Sequence, residues 1–168
     1  MKICIYYDSL TGNTKAIANA IASIAGHDLI YCGKPDEYME ADLYFIGSWT
    51  DKGNCSMPIQ KLLQNLHSKK IAYFGTCGFG GSQDYYQSLY QRALSYVDAS
   101  NRILGHFYCP GKMPESIRER YVTLLQAHPD DQKIQVSLKN FDEVKTRPDM
   151  QDLENAKNWA KEMIKEAL

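Results

Sequence analysis

Apolar positions in this chain come in two spacings that take turns. Short continuous runs occur at Ile3 to Tyr7, Leu43 to Gly47 and Ile71 to Gly75, with weaker ones at Asp28 to Tyr31 and Asn101 to Tyr108. Such runs, bounded by turn residues, predict strands covered on both faces. Between them, apolar residues return every three or four positions. Ile17, Ala20, Ile21 and Ile24 form one set, and Ile59, Leu62, Leu63 and Leu66 a second. Tyr86, Leu89, Tyr90, Ala93 and Val97 form a third; Ile117, Tyr121, Leu124 and Leu125 a fourth; and Leu153, Ala156, Ala160, Ile164 and Ala167 a last. Each set is one face of an amphipathic helix. Gly26 suits the end of the first helix, Ser56 and Pro58 the start of the second, and Pro114 the start of the fourth. Strand and helix alternate regularly, which predicts a single α/β domain over residues 1–168. Its five-stranded parallel sheet would carry helices on both faces, a doubly wound arrangement.

One segment breaks the pattern. Pro129 to Pro148 is polar and charged, with only a weak alternation at Ile134, Val136 and Leu138. The expectation there is a solvated excursion, with an added edge strand as the alternative.

The chemistry concentrates in the loop after the first strand, Asp8-Ser9-Leu10-Thr11-Gly12-Asn13-Thr14. Ser9, Thr11, Asn13 and Thr14 can donate hydrogen bonds, and Gly12 lets the backbone turn tightly. The loop runs into a helix, whose first N–H groups and dipole favour an anion such as a phosphate. Ser and Thr before a helix are also ordinary N-caps. Four such residues around one glycine favour the anion site. No GxxxxGK[ST] or GxGxxG occurs, which disfavours a P-loop NTPase and a dinucleotide fold.

Composition narrows the class further. A net charge of −1 points away from nucleic acid and anionic membranes, and no apolar run is long enough to span a bilayer. Met1-Lys2-Ile3-Cys4 leads straight into a strand, unlike a signal peptide. Five widely spaced cysteines without CxxC fit a reducing cytoplasm better than a disulfide framework or zinc site. The four histidines are scattered, with no catalytic triad or metal-ligand spacing.

Ser9-x-Thr11-Gly12-Asn13-Thr14 after the first strand resembles the FMN-phosphate loop of flavodoxins. The resemblance covers about residues 1–128 and the final helix. The loop after the third strand and Cys109-Pro110-Gly111-Lys112-Met113 look closest to small bacterial flavodoxin-domain proteins. It implies the strand order 2-1-3-4-5, with FMN bound beyond the carboxyl ends of the strands. Flavodoxin itself is the usual illustration of that rule. The family's loop, here Ser9, Leu10, Thr11, Gly12, Asn13 and Thr14, holds the phosphate without Lys or Arg. A second loop, Ser48-Trp49-Thr50-Asp51-Lys52-Gly53-Asn54-Cys55, places Trp49 against one flavin face, beside Ser48 and Thr50. A peptide near Gly53 would turn its carbonyl to flavin N5, favouring the neutral semiquinone. A third loop, Thr76 to Tyr86, contains Gly78, Gly80 and Gly81. Backbone N–H groups of Thr76, Cys77 and Gly78 would face the pyrimidine edge. Asp84 matches the family's acidic residue, and Tyr85 is preferred over Phe79 and Tyr86 for the second ring face. Cys55 and Cys77 lie in two loops expected to meet, and read as small fillers rather than a redox pair.

The resemblance implies a carrier that moves electrons between redox partner proteins. The donor would be a flavodoxin reductase or similar protein, and the acceptor another reductase. The alternative is an FMN-dependent NAD(P)H oxidoreductase acting on a quinone or small molecule. A receiver-type signalling module of the same strand order is disfavoured. Asp8 stands alone after the first strand, and Gly47-Ser48 occupies the place of a phospho-accepting aspartate. Segment 129–148 and the near-zero charge depart from a minimal, acidic flavodoxin.

Overall fold

A computed structural model describes residues 1–79 and 81–168; Gly80 of the third loop lies outside the described residues. Among the described residues six strands and six α-helices follow in chain order. They are β1 (Ile3–Asp8), α1 (Asn13–Ala25), β2 (Leu29–Gly33), β3 (Leu43–Asp51), β4 (Asn54–Cys55) and α2 (Met57–Asn65). Then come β5 (Lys70–Cys77), α3 (Gln83–Leu94), β6 (Arg102–Pro110), α4 (Glu115–Ala127), α5 (Gln132–Val144) and α6 (Met150–Ala167). The five long strands pair in parallel in the order β2-β1-β3-β5-β6. That is the expected 2-1-3-4-5 once the short β4 is set aside.

The period-2 alternation of each strand sorts its side chains to two cores. Ile3, Ile5, Leu43, Phe45, Ala72 and Phe74 point to one face, where Ile17 and Ile21 of α1 and Ala156, Ala160 and Met163 of α6 cover them. Cys4, Tyr6, Tyr44, Ile46, Ile71 and Tyr73 point to the other, under Ile59 and Leu63 of α2 and Tyr90 and Ala93 of α3. Both faces of β1, β3 and β5 are buried over most of their length, so these strands carry no polar alternation.

Two expectations need correction. The sheet has six strands rather than five, because β3 runs past Gly47 to Asp51 and folds back antiparallel as β4. The second change is α5. Segment 129–148 is neither an excursion nor an edge strand but contains a 13-residue helix. Its real repeat is Ile134, Leu138, Phe141 and Val144, spaced four, three and three apart. Phe141 and Val144 are buried, whereas Val136, the residue that suggested a strand, is 57% exposed. Asp131 caps the helix, its carboxylate accepting from the N–H groups of Lys133 and Ile134.

The packing of β6 on α3 makes stability respond to pH. The His106 ring stacks on Tyr90, with centroids 3.9 Å apart and planes 20° apart. Burial holds its pKa below the ordinary 6.5, so the folded state favours neutral imidazole. The unfolded chain therefore binds this proton first. His106 costs nothing above pH 6.5 and progressively destabilises as pH falls below it. Urea midpoints measured between pH 7.5 and 5 should fall less steeply for His106→Phe, which keeps the stacking, than for wild type. Parallel curves would assign the acid loss to other groups.

Candidate functional site

The carboxyl ends of β1, β3, β5 and β6 share one edge of the sheet, and a cleft of about 350 Å³ opens there. At one end is the start of α1. Gly12, the N-cap residue, takes φ +89°, a left-handed conformation open to glycine, and brings no side chain to cap the helix. Ser9 Oγ accepts from the N–H of Lys15, in the first turn of α1, at 3.2 Å. Thr14 is fully buried and shares a hydrogen bond with Thr76 Oγ1 at 2.9 Å, tying loop to sheet. Leu10 and Thr11 line the cleft.

Asn13 has a different geometry from a simple phosphate donor. Its amide donates to the Lys112 carbonyl at 2.8 Å and so pins the loop that follows β6. Its Oδ1 is buried and has no partner among the described residues. Gly111 permits this contact, because a Cβ there would lie 2.4 Å from Asn13 Nδ2.

The middle of the cleft is aromatic. Trp49 and Tyr85 both line it, as does the exposed ring of Phe79. Trp49 Nε1 donates to Asp8 Oδ2 at 2.9 Å, which fixes the indole orientation. Tyr86 instead is buried and stacks on Tyr108, centroids 5.5 Å apart, away from the cleft. Ser48 is buried and acts as a brace: its Oγ donates to the Trp49 carbonyl and accepts from Ser56 N–H. Thr50 Oγ1 donates to the Thr76 carbonyl at 2.9 Å. The Cys77 carbonyl accepts from Gly111 N–H, and the Gly78 carbonyl from Asn140 of α5. All three carbonyls at the end of β5 are thus taken by neighbours.

Lys52 and Gly53 form the tip of the β3–β4 hairpin, both at positive φ. That is the two-residue turn whose twist matches antiparallel strands. The Gly53 carbonyl accepts from Arg92 at 2.7 Å. Asp84 lies exposed in the first turn of α3, and neither it nor Ser9, Gly12, Thr14 or Ser48 lines the cleft. Burial pushes the Cys55 thiol up to about 11 and Cys77 up to about 12, so both are neutral thiols. They pack in separate clusters.

The sequence reading missed the wall supplied by Lys112, Met113, Pro114 and Ile117. These residues follow β6, one strand beyond the expected three loops. Met113 packs on Gly78, where a Cβ would lie 2.3 Å from its Cγ. The available signal was Pro110-Gly111 at the end of a strand.

These residues fit a phosphate-bearing flavin. The α1 start, with a glycine at its N-cap, suits an anion, Trp49 and Tyr85 suit a flat ring, and the orphaned Asn13 Oδ1 suits a hydroxyl donor between the two. Among the described residues no cluster of metal-binding side chains occurs, and no helix is long and apolar enough to cross a membrane.

Comparison with known proteins agrees with this geometry. The chain is 36% identical to flavodoxin-like domain-containing protein BilS of Clostridioides difficile (strain CD3), over 98% of this chain and 97% of that protein. It is 32% identical to the BilS protein of Clostridium symbiosum (strain WAL-14163), over 91% and 90%. A flavodoxin from the domain Archaea superposes with a TM-score of 0.60 over 99% of both chains, at 17% identity. A flavoprotein from Lactobacillus acidophilus NCFM, solved in complex with FMN, gives a TM-score of 0.52 over 64% of this chain and 92% of that one, at 20% identity. The family model described as a flavodoxin domain matches residues 4–161. With that match and the strand order of the fold, the chain belongs to the flavodoxin-domain family.

Proposed function

We propose that this protein is an FMN-dependent electron carrier, with the whole chain of 168 residues acting as one FMN-binding domain. The observation that carries the reading is a cleft with a helix start behind a glycine N-cap at one end and two aromatic rings, Trp49 and Tyr85, beside it. The cofactor is FMN, the flavin with a single phosphate, as family membership and the chemistry of the α1 start both support. When bound, FMN supplies electron transfer at its ring. The protein's own groups bind, orient and shield it. The α1 start and Thr11 would hold the phosphate, and Asn13 Oδ1 would accept from the sugar-alcohol chain. Trp49, braced by Asp8 and Ser48, and Tyr85 would exclude water from the ring faces. The neutral thiols of Cys55 and Cys77 take no part. The partners would be a flavodoxin reductase or similar donor and a reductase acceptor. The compartment would be the cytoplasm, consistent with five free cysteines.

The direct test is whether the purified protein is yellow, or takes up one FMN per chain. Trp49→Ala should weaken FMN binding about tenfold or more, on the scale of ~1–3 kcal/mol for aromatic stacking. Bound-flavin fluorescence should rise with the loss of the quenching indole. Unchanged affinity and quenching would remove Trp49 from the ring face.

A further inference from the structure

Strand β6 closes one side of the sheet, and its outer edge pairs with no strand among the described residues. Its backbone bonds run to β5 and to Lys69 just before it. The first part of this edge is blunted. Ile71 pairs with Ile103 and Ala72 with Gly105, so Leu104 is an extra residue that interrupts the ladder. From Gly105 to Cys109 the register is regular, with no proline and no lysine, so the usual protections of an edge are missing.

A groove of about 450 Å³ follows that second part. Phe107, Tyr108, Cys109 and Pro110, four consecutive residues, line it. Side chains alternate between the two faces of a strand, so a groove that touches four in a row runs along the backbone edge. The side chains themselves are engaged elsewhere. Phe107 packs on Trp159, Tyr108 stacks on Tyr86, and Cys109 is buried. Helix α5 supplies another wall through Asn140, Glu143 and Val144, which share one helix face at i, i+3 and i+4. Gln83 of α3 and Asn155 of α6 add side-chain amides. The groove is thus a slot between an open strand edge and a helix, about 13 Å long at ~3.3 Å per strand residue.

The row of N–H and C=O groups on a strand edge is matched along its length by another extended backbone. Charge narrows the choice further. Arg147 and Asp152, which also line the slot, neutralise each other through two hydrogen bonds of 2.5 and 2.6 Å. Glu143 is left with Lys139, 3.9 Å away, and both side chains are exposed, a pairing worth little.

We infer that the β6 edge and α5 form a docking slot for an extended segment of a partner protein, one that carries a basic side chain. The segment adds to the sheet as a further strand, its backbone bonding to the edge between Phe107 and Cys109 and its basic group meeting Glu143. The slot shares no lining residue with the aromatic cleft, so a partner held here leaves the cleft mouth open. The inference does not depend on the FMN reading.

The test uses the full-length, isotope-labelled protein and three blocked synthetic peptides, followed by backbone amide NMR. The probes are Thr-Val-Thr-Lys-Thr-Val-Thr, the same peptide with Glu for Lys, and the Lys peptide with Pro for both Val. The Lys peptide should shift the amides of Phe107, Tyr108, Cys109, Asn140, Glu143 and Val144, and slow hydrogen exchange along the β6 edge. The Glu peptide should bind about two- to fivefold more weakly, the scale of one exposed charge pair. The Pro peptide should not bind, because it lacks ladder donors. Glu143→Lys should reverse the charge preference. Asn155→Trp, a bulky change at an exposed position of α6, should block the slot without moving the urea midpoint. No shift along β6 with the Lys peptide overturns the slot, as does equal binding of the Pro peptide. Shifts confined to the cleft residues overturn it too. A protein that dimerises alone, with the same edge amides already protected, assigns the edge to a second copy and overturns the partner segment. An unchanged preference in Glu143→Lys overturns the choice of a basic side chain.

Discussion

Apoprotein should bind FMN at least about 100-fold more tightly than riboflavin, because the phosphate gains two or more charge-assisted bonds at the α1 start, worth ~3 kcal/mol together. The geometry behind this number is the helix start after Gly12 and Thr11 on the cleft wall. Isothermal titration with both ligands gives the ratio directly. Substitutions should then separate two roles within the loop. Thr11→Ala removes one bond to the phosphate, at a cost of ~1–2 kcal/mol. Asn13→Ala should cost more, because it also releases the Lys112 carbonyl and the wall that follows β6. Comparable affinity for the two flavins would place the phosphate outside the α1 start.

NADPH alone should reduce the bound flavin very slowly, and an added flavodoxin reductase should make the reduction fast. The reason is structural. One doubly wound sheet uses the whole described chain, no GxGxxG occurs, and the cleft wall contains no carboxylate or histidine. Lys52 and Lys112 are its charged members. Stopped-flow mixing of the holoprotein with NADPH, without partner, is the measurement. Saturable reduction at ~1 s⁻¹ or faster lies within the usual range of enzymes and would make the protein an FMN-dependent NAD(P)H oxidoreductase instead.

The sheet was legible because burial on both faces leaves a simple mark. Ile3 to Tyr7 and Leu43 to Gly47 are apolar without a break, and the helices between them repeat every three or four residues. The turn from β1 into α1 was legible because Gly12, at positive φ, sits where a tight turn needs a glycine. What stayed hidden depends on contacts distant in sequence. Asn13 meets Lys112 across 99 positions, and Asn140 meets Gly78 across 62. Helix α5 was hidden for a local reason. Its buried side is narrow, so the exposed Val136 imitates a strand period between Ile134 and Leu138. Tyr85 and Tyr86 show the opposite case. The helical repeat puts Tyr86 in the core and leaves its neighbour for the cleft.

The β3–β4 hairpin has a further consequence for binding. A loop ordered only by its ligand loses ~1–2 kcal/mol of backbone conformational entropy per residue at that moment. Here the ladder pairs Thr50 with Cys55 and Asp51 with Asn54, and Arg92 holds the tip at Gly53. Residues 50–55 lose that freedom when the chain folds, not when the cofactor arrives. Any contact that Trp49 or Thr50 makes with a flavin would therefore go into affinity undiminished, because the arm is preorganised.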